Sequence, residues 1–320
     1  MVDLNVLITT YHQAFLNKGG GEVELVEVAS NLKELGVKTD IYGPISRPLD
    51  TYDVVLHFSM HGGGLELLRH IKKANKRIIL WPNLWWVSNP SEPELDVAMS
   101  HITLADAVVF KSNAEMKNLT SRLSVPKEKI HIIPAGIDPC FGYPADKDMF
   151  KVIYKVDEYI LWLGIIEERK NQLFCINALK NIELPIVFIG NYRNRDYYEA
   201  CKATAPKHFK FLPSMPAKSE ILRSAIQNCQ LFFEVPLDHP GLSALEAGLA
   251  GATLVLSDDA WSKEHFGKKI TYVDPKSQES IVKGVKIALN NTKDSTINRM
   301  IHNKHLYPQA LEQLVRILKV

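Results

Sequence analysis

The chain has 320 residues, of which 46% are hydrophobic and 23% charged, and its formal net charge is +2. That length exceeds one ordinary compact core and predicts two domains of roughly 150 residues each. The composition excludes a disordered or fibrous chain, and the near-neutral balance gives no case for a nucleic-acid binder, which calls for a strongly basic face.

No apolar run reaches the roughly 18 residues that span a bilayer. The start, MVDLNVLITTYHQ, is acidic where a signal peptide is basic and lacks a small-residue cleavage pattern, so a cytoplasmic protein is expected. The four cysteines, Cys140, Cys175, Cys201 and Cys229, are scattered without a CxxC pair. They read as reduced, partly buried thiols, and no metal site is expected.

In chain order, Asn5 to Thr9 is an apolar run with the look of a buried strand. Glu22 to Leu35 has apolar residues at helical spacing, and Gly36 ends it. Further strands are expected at Val37 to Tyr42, Asp53 to Phe58, Arg77 to Trp81, Ala107 to Phe110 and Lys129 to Ile133, with helices at Gly64 to Lys73 and Asn113 to Leu123. This is the rhythm of βαβ units and a parallel sheet. Pro134 to Lys147 breaks it with prolines and glycines, which places a domain boundary there. It then restarts, with strands at Tyr159 to Leu163, Pro185 to Ile189, His208 to Leu212, Gln230 to Phe233, Thr253 to Leu256 and Lys269 to Val273. Helices are expected at Lys170 to Lys180, Lys218 to Ile226, Leu242 to Ala250 and Gln278 to Asn290, and the tail from Ser295 to Val320 is helical around Pro308.

Ligands of open parallel sheets bind beyond the carboxyl ends of the strands, so residues just after strands carry the interest. Asp238-His-Pro-Gly-Leu-Ser-Ala-Leu-Glu246 follows one such strand. Gly241 lets a ligand approach the backbone, and the helix start at Leu242 and Ser243 offers N–H groups and a positive dipole end to phosphate. Glu246 is placed to accept from two ribose hydroxyls and Asp238 to hold the hydroxyls of a sugar; a surface Asp with an ordinary helix Glu is the plainer alternative. Gly164 to Asn171 (GIIEERKN) follows the strand YILWL. Its Arg169 offers a fork and its Lys170 a point charge to a diphosphate; a solvated basic pair is the alternative. Lys18-Gly19-Gly20-Gly21-Glu22 is a glycine loop before the first helix, with GxGxxG absent. It reads either as a lining of backbone N–H groups for a ligand or as a plain mobile loop.

These motifs, in this order, resemble the retaining glycosyltransferases with the GT-B fold often called family four. Gly19 to Glu22 looks like the family's glycine loop, and Ala105-Asp-Ala-Val-Val-Phe-Lys-Ser112 like its last N-domain strand. Ile132-Ile-Pro-Ala-Gly-Ile-Asp138 resembles "IPNGVD", Gly164 to Asn171 resembles "G-x-x-x-x-RKN", Asp238 to Glu246 resembles E-x7-E, and Tyr272-Val-Asp-Pro275 matches "YVDP". The resemblance covers nearly the whole chain. It implies an α/β chain of two Rossmann-like domains facing a central cleft: 1–145 on the acceptor side, 146–302 binding the nucleotide sugar, and a helix at 303–320 returning toward the first. It further implies transfer from a nucleoside diphosphate sugar to a hydroxyl of a glycan or lipid-linked saccharide, with no metal and no cofactor. Arg169 and Lys170 would steady the leaving diphosphate, Glu246 the ribose and Asp238 the sugar, with Gly19, Gly20, Gly21, Gly164, Gly241, Leu242 and Ser243 lining the donor.

Two departures stand out. The first acid of E-x7-E is Asp238, one methylene short, while Glu234 is out of register with Glu246. The histidine that many members carry after the fourth N-domain strand falls here at Pro82 or Asn83. His57 or His61 is a candidate for its role. Trp81, Trp85 and Trp86 read equally as sugar-stacking faces or as core. His61, Asn83 and Trp85 are the acceptor-side candidates. Arg69, Lys72, Lys73, Lys76 and Arg77 read as a solvated helix face, with peripheral contact to anionic lipid at an inner membrane face as the rival. An epimerase on the same fold and a non-catalytic glycan- or nucleotide-binding protein are the alternative functions.

Overall fold

A computed structural model describes residues 4–16, 19–61, 63–291 and 295–320. They divide into two compact units, 1–136 with 307–320, and 137–306.

The first unit holds β1 (Asn5–Thr9), α1 (Gly20–Glu34), β2 (Lys38–Ile41), β3 (Val54–Phe58), α2 (Leu65–Lys73), β4 (Arg77–Trp81), α3 (Glu92–Leu104), β5 (Ala107–Phe110), α4 (Asn113–Thr120) and β6 (Ile130–Ile132). Its strands form one parallel sheet in the order β2-β1-β3-β4-β5-β6. Both faces are covered, so the inner strands β1, β3, β4 and β5 are largely apolar. Val6, Ile8, Leu56 and Val109 point into one core, and Leu7, Val55, Leu80 and Val108 into clusters on the other side.

The second unit holds α5 (Met149–Tyr154), β7 (Ile160–Leu163), α6 (Gln172–Leu179), β8 (Ile186–Ile189), α7 (Arg195–Thr204), β9 (Lys210–Leu212), α8 (Glu220–Asn228), β10 (Leu231–Glu234), α9 (Leu242–Leu249), β11 (Leu254–Ser257), α10 (Ala260–Phe266), β12 (Thr271–Val273), α11 (Gln278–Leu289) and α12 (Ser295–Lys304). Its sheet is also parallel, in the order β12-β11-β10-β7-β8-β9. The chain leaves β7 toward β8 and leaves β10 toward β11, so the strand order reverses between these two neighbours. Ligands of open parallel sheets bind beyond the carboxyl ends of the strands at such a reversal.

The last helix, α13 (Glu312–Lys319), belongs to the first unit. Its Leu314, Val315, Ile317 and Leu318 fill the core beside Val6, Ile8 and Leu25, and Arg77 donates to the Ile317 carbonyl at 2.7 Å.

Four helices, α3, α5, α7 and α10, go beyond the expected elements. Three of them carry readable starts: a Ser91/Glu94 capping box for α3, Asn194 accepting at α7 and Asp259 accepting at α10. The helix expected from Lys170 begins instead at Gln172. Glu168–Lys170 is a 3₁₀ turn and Asn171 is left-handed, with φ 68°, because its side chain donates to the carbonyls of Val235 (3.2 Å) and Pro275 (2.8 Å). Among the described residues, no helix is long and apolar enough to cross a membrane.

Candidate functional site

The loops after β7 and β10 are tied to each other. Leu237 N–H donates to the Arg169 carbonyl at 2.8 Å, and the 3₁₀ turn presents Arg169 and Lys170 beside Asp238. Lys170 Nζ lies 2.9 Å from Asp238 Oδ1 and donates to the His239 carbonyl at 3.2 Å. Arg169 Nε is 3.8 Å from Asp238 Oδ2 and 2.5 Å from Glu167 Oε1. Burial is the largest influence on Arg169 and opposes its charge. The hydrogen bond and charge of Glu167, with Asp238, outweigh it and hold the guanidinium above its ordinary pKa. Lys170 and Asp238 are mostly buried, with 15% and 5% of their side chains exposed. An ammonium–carboxylate pair this enclosed is a fixed feature, unlike a mobile surface pair.

α9 starts at Leu242 with Gly241 as its N-cap. The Gly241 amide donates to Glu234 Oε1 at 3.1 Å and Ser243 Oγ to Glu234 Oε2 at 2.8 Å. Glu234, the last residue of β10, is only 2% exposed. Burial lifts its carboxyl above the ordinary range, against the pull of Lys170, Ser243 and Gly241. Glu234 is out of register with Glu246 in the motif, yet an acid closing the apolar run LFFE is itself a signal: a charge at a buried strand end requires partners. Glu246 lies half-buried on α9, eight positions after Asp238.

Gly164 takes φ 131°, and its carbonyl comes so near Gly190 that a Cβ at Gly190 would stand 1.9 Å from it. The two loops run side by side there, with Gly164 N–H donating to Ile189 and Ile166 N–H to Asn191.

In the first unit, the ends of β4 and β5 and the start of α1 bring a second polar group together. Lys111 Nζ contacts Glu24 Oε2 at 2.9 Å and Asn83 Oδ1 at 3.1 Å, and Glu115 Oε2 accepts the Lys111 amide at 2.7 Å. Burial opposes the charge of Lys111, but Glu24 and Glu115 hold it above its ordinary pKa. Asn83 has φ 45°, and its amide faces Gly21, where a Cβ would stand 2.5 Å from Nδ2. Gly20 and Gly21 open α1, and the Gly19 amide donates to Glu22 Oε2 at 2.8 Å. The glycine loop therefore starts a helix. Lys18 and Gly62 lie outside the described residues. Lys111 and Glu24 also escaped the sequence reading, because nothing in spacing pairs residues 87 positions apart.

The histidine candidates separate. His57 lies within β3, fully buried, with Nδ1 2.8 Å from Thr9 Oγ1, and burial next to His101 depresses its pKa to about 3. His61 is exposed, edge-on to Tyr11. Trp81 stacks on Phe58 in one core and Trp86 sits in another, which leaves Trp85, half-buried, as the member of this trio outside them. Of the basic stretch, Lys72 pairs with Asp106 at 2.6 Å, Lys76 Nζ donates to the Asp50 and Tyr52 carbonyls, and Arg77 anchors α13.

Residues 146–305 match the model of the family described as glycosyl transferases group 1. The chain belongs to that family. The matched half of this glycosyltransferase contains Arg169, Lys170, Asp238 and Glu246. A comparison with curated proteins gives no match. Among solved structures, the chain resembles a sucrose-phosphate synthase from Thermosynechococcus elongatus, with TM-score 0.82, 14% identity, and coverage of 99% of this chain and 98% of that one. It resembles Anabaena HepE in complex with UDP and glucose, with TM-score 0.80, 15% identity and 99% of each chain covered. An α,α-trehalose-phosphate synthase (UDP-forming) from Burkholderia xenovorans, in complex with glucose-6-phosphate, gives TM-score 0.72 and 11% identity over 99% of this chain and 100% of that one. These likenesses give the glycosyltransferase its fold: α/β, built from two parallel six-stranded sheets, of the GT-B type.

Proposed function

We propose that this glycosyltransferase moves a hexosyl unit, with retention, from a nucleoside diphosphate sugar to a hydroxyl of a glycan or lipid-linked saccharide, without a metal ion. The observation that carries the reading is the buried Lys170–Asp238 pair, flanked by Arg169, at the carboxyl ends of β7 and β10. It sets two cations next to a carboxylate where a parallel sheet receives a phosphorylated ligand. HepE complexed with UDP and glucose is a fold relative whose ligands suit such a site.

The C–O bond from the sugar's anomeric carbon to the diphosphate breaks, and negative charge grows on the leaving phosphate oxygen. Arg169 and Lys170 stabilise that charge, an electrostatic contribution on the order of several kcal/mol. Because Glu234 holds the Gly241 amide, the helix contributes through the backbone of Leu242 and Ser243. Glu246 anchors the ribose and Asp238 the sugar hydroxyls. The acceptor oxygen bonds the anomeric carbon on the face the diphosphate leaves, and its proton passes to the departing phosphate oxygen. His61, Asn83 and Trp85 are the proposed acceptor-side groups on the first unit. Lys170→Ala is expected to lower kcat about 100-fold or more with the fold intact by circular dichroism. Near-normal transfer by that variant would sink the phosphate assignment, and an epimerised donor formed without acceptor would sink the transfer itself.

A further inference from the structure

A third cation stands at the same strand ends. Arg193 follows β8, and its loop is laced to the loop after β7: Ile166 N–H donates to Asn191 at 2.8 Å, Arg193 N–H donates back to Ile166 at 3.3 Å, and Ile166 and Tyr192 form a parallel bridge. This lacing brings Arg193 Nη1 to 2.9 Å from Glu167 Oε2, while the other oxygen of Glu167 holds Arg169 Nε. One carboxylate, with 6% of its side chain exposed, thus grips two arginines that are 52% and 45% exposed.

The manner of gripping is informative. Each arginine spends a single nitrogen on Glu167, not the paired donors that a bidentate carboxylate contact uses. Among the described residues, no partner takes Nη1 or Nη2 of Arg169, or Nε and Nη2 of Arg193. Two guanidinium forks are left unspent, each with the geometry that matches two oxygens of a phosphate. Arg193, Glu167, Arg169, Asp238 and Lys170 form one chain of alternating charge across the ends of β8, β7 and β10, with one positive charge in excess.

We propose that Arg193 is a phosphate-binding residue of the donor site, and that Glu167 is the positioning residue that aims Arg193 and Arg169 at one diphosphate. The inference rests on the donor-site reading above and extends it to a loop that the motif at Gly164 to Asn171 does not include. A merely structural Glu167–Arg193 pair would hold the two loops together and nothing else.

The test is calorimetric titration of the full chain with inorganic pyrophosphate, which carries the diphosphate and no base, alongside UDP, GDP and uridine. Arg193→Ala is expected to weaken pyrophosphate and nucleoside diphosphate binding about tenfold, with uridine binding unmoved and the melting temperature within a few degrees of the parent. Arg193→Lys is expected to recover only part of the loss, since a point charge replaces a fork. Unchanged pyrophosphate affinity in Arg193→Ala, in a chain where Lys170→Ala weakens it, overturns the role of Arg193 and leaves the donor site standing. Equal losses for uridine and pyrophosphate, or a matching fall in melting temperature, assign Arg193 to structure and also overturn it. A parent protein that binds neither pyrophosphate nor either nucleotide overturns both readings.

Discussion

Lys170 and Asp238 meet at 2.9 Å although 68 positions separate them, and Glu234 accepts from the Gly241 amide and the Ser243 hydroxyl at the start of α9. Sequence alone singled out Arg169, Lys170 and Asp238 because they follow strands of a parallel sheet, where ligands bind, and because their motifs resemble the family's. It could not rank Glu234, since a carboxylate's worth depends on what surrounds it, and burial is not written in spacing. His57 shows the same dependence with a consequence for pH. Its folded pKa, about 3, lies below the ordinary 6.5 because burial disfavours the imidazolium. The unfolded chain therefore binds the proton more readily. Its contribution to stability is complete above about pH 6.5 and is lost as pH falls toward 3. Between pH 7 and pH 5 that loss is about 2 kcal/mol. His57→Asn, which preserves an acceptor for Thr9, is expected to be less stable than the parent at pH 7, with the gap closing by about 2 kcal/mol at pH 5 in urea titrations. A gap that does not change with pH would show that His57 ionises as freely folded as unfolded.

At the scale of elements, the loops after β7 and β8 form a small parallel extension of the sheet, and Gly190 is what lets them close. A Cβ there would lie 1.9 Å from a backbone oxygen, which no side-chain rotation relieves. Gly190→Ala is expected to cost about 1–3 kcal/mol in chemical denaturation, as overpacking does, and to weaken pyrophosphate binding by moving Glu167 from its arginines. Full stability in that variant would mean the loops have slack that the geometry denies. The strands themselves were legible: Arg77 to Trp81 and Ala107 to Phe110 coincide with β4 and β5, since strands covered on both faces are continuous apolar runs. The helix expected at Lys170 was displaced to Gln172, because Asn171 answers to Val235 and Pro275, far along the chain. α3 had a readable start at Ser91 and Glu94, but its apolar stripe is weakly periodic, so the pattern gave no helix.

At the scale of the molecule, two parallel α/β units carry the two polar groups at the carboxyl ends of their strands. If the second unit takes the nucleotide sugar as proposed, the donor's base and sugar should emerge from a thermal-shift panel of UDP-, GDP-, ADP- and TDP-sugars. One donor is expected to raise the melting temperature above the rest, by mass action, and to do so equally with a chelator present. A shift abolished by chelator would contradict transfer without a metal. The sequence by itself determined the parallel α/β class, the family and the strand-end positions of the charged residues, because apolar periodicity and short motifs are local properties of the chain. Only the tertiary structure decided which charges share a carboxylate, that Glu234 and Glu167 are buried, and that β7 and β10 lie side by side. Those are matters of sheet order and desolvation, set by contacts between residues tens of positions apart.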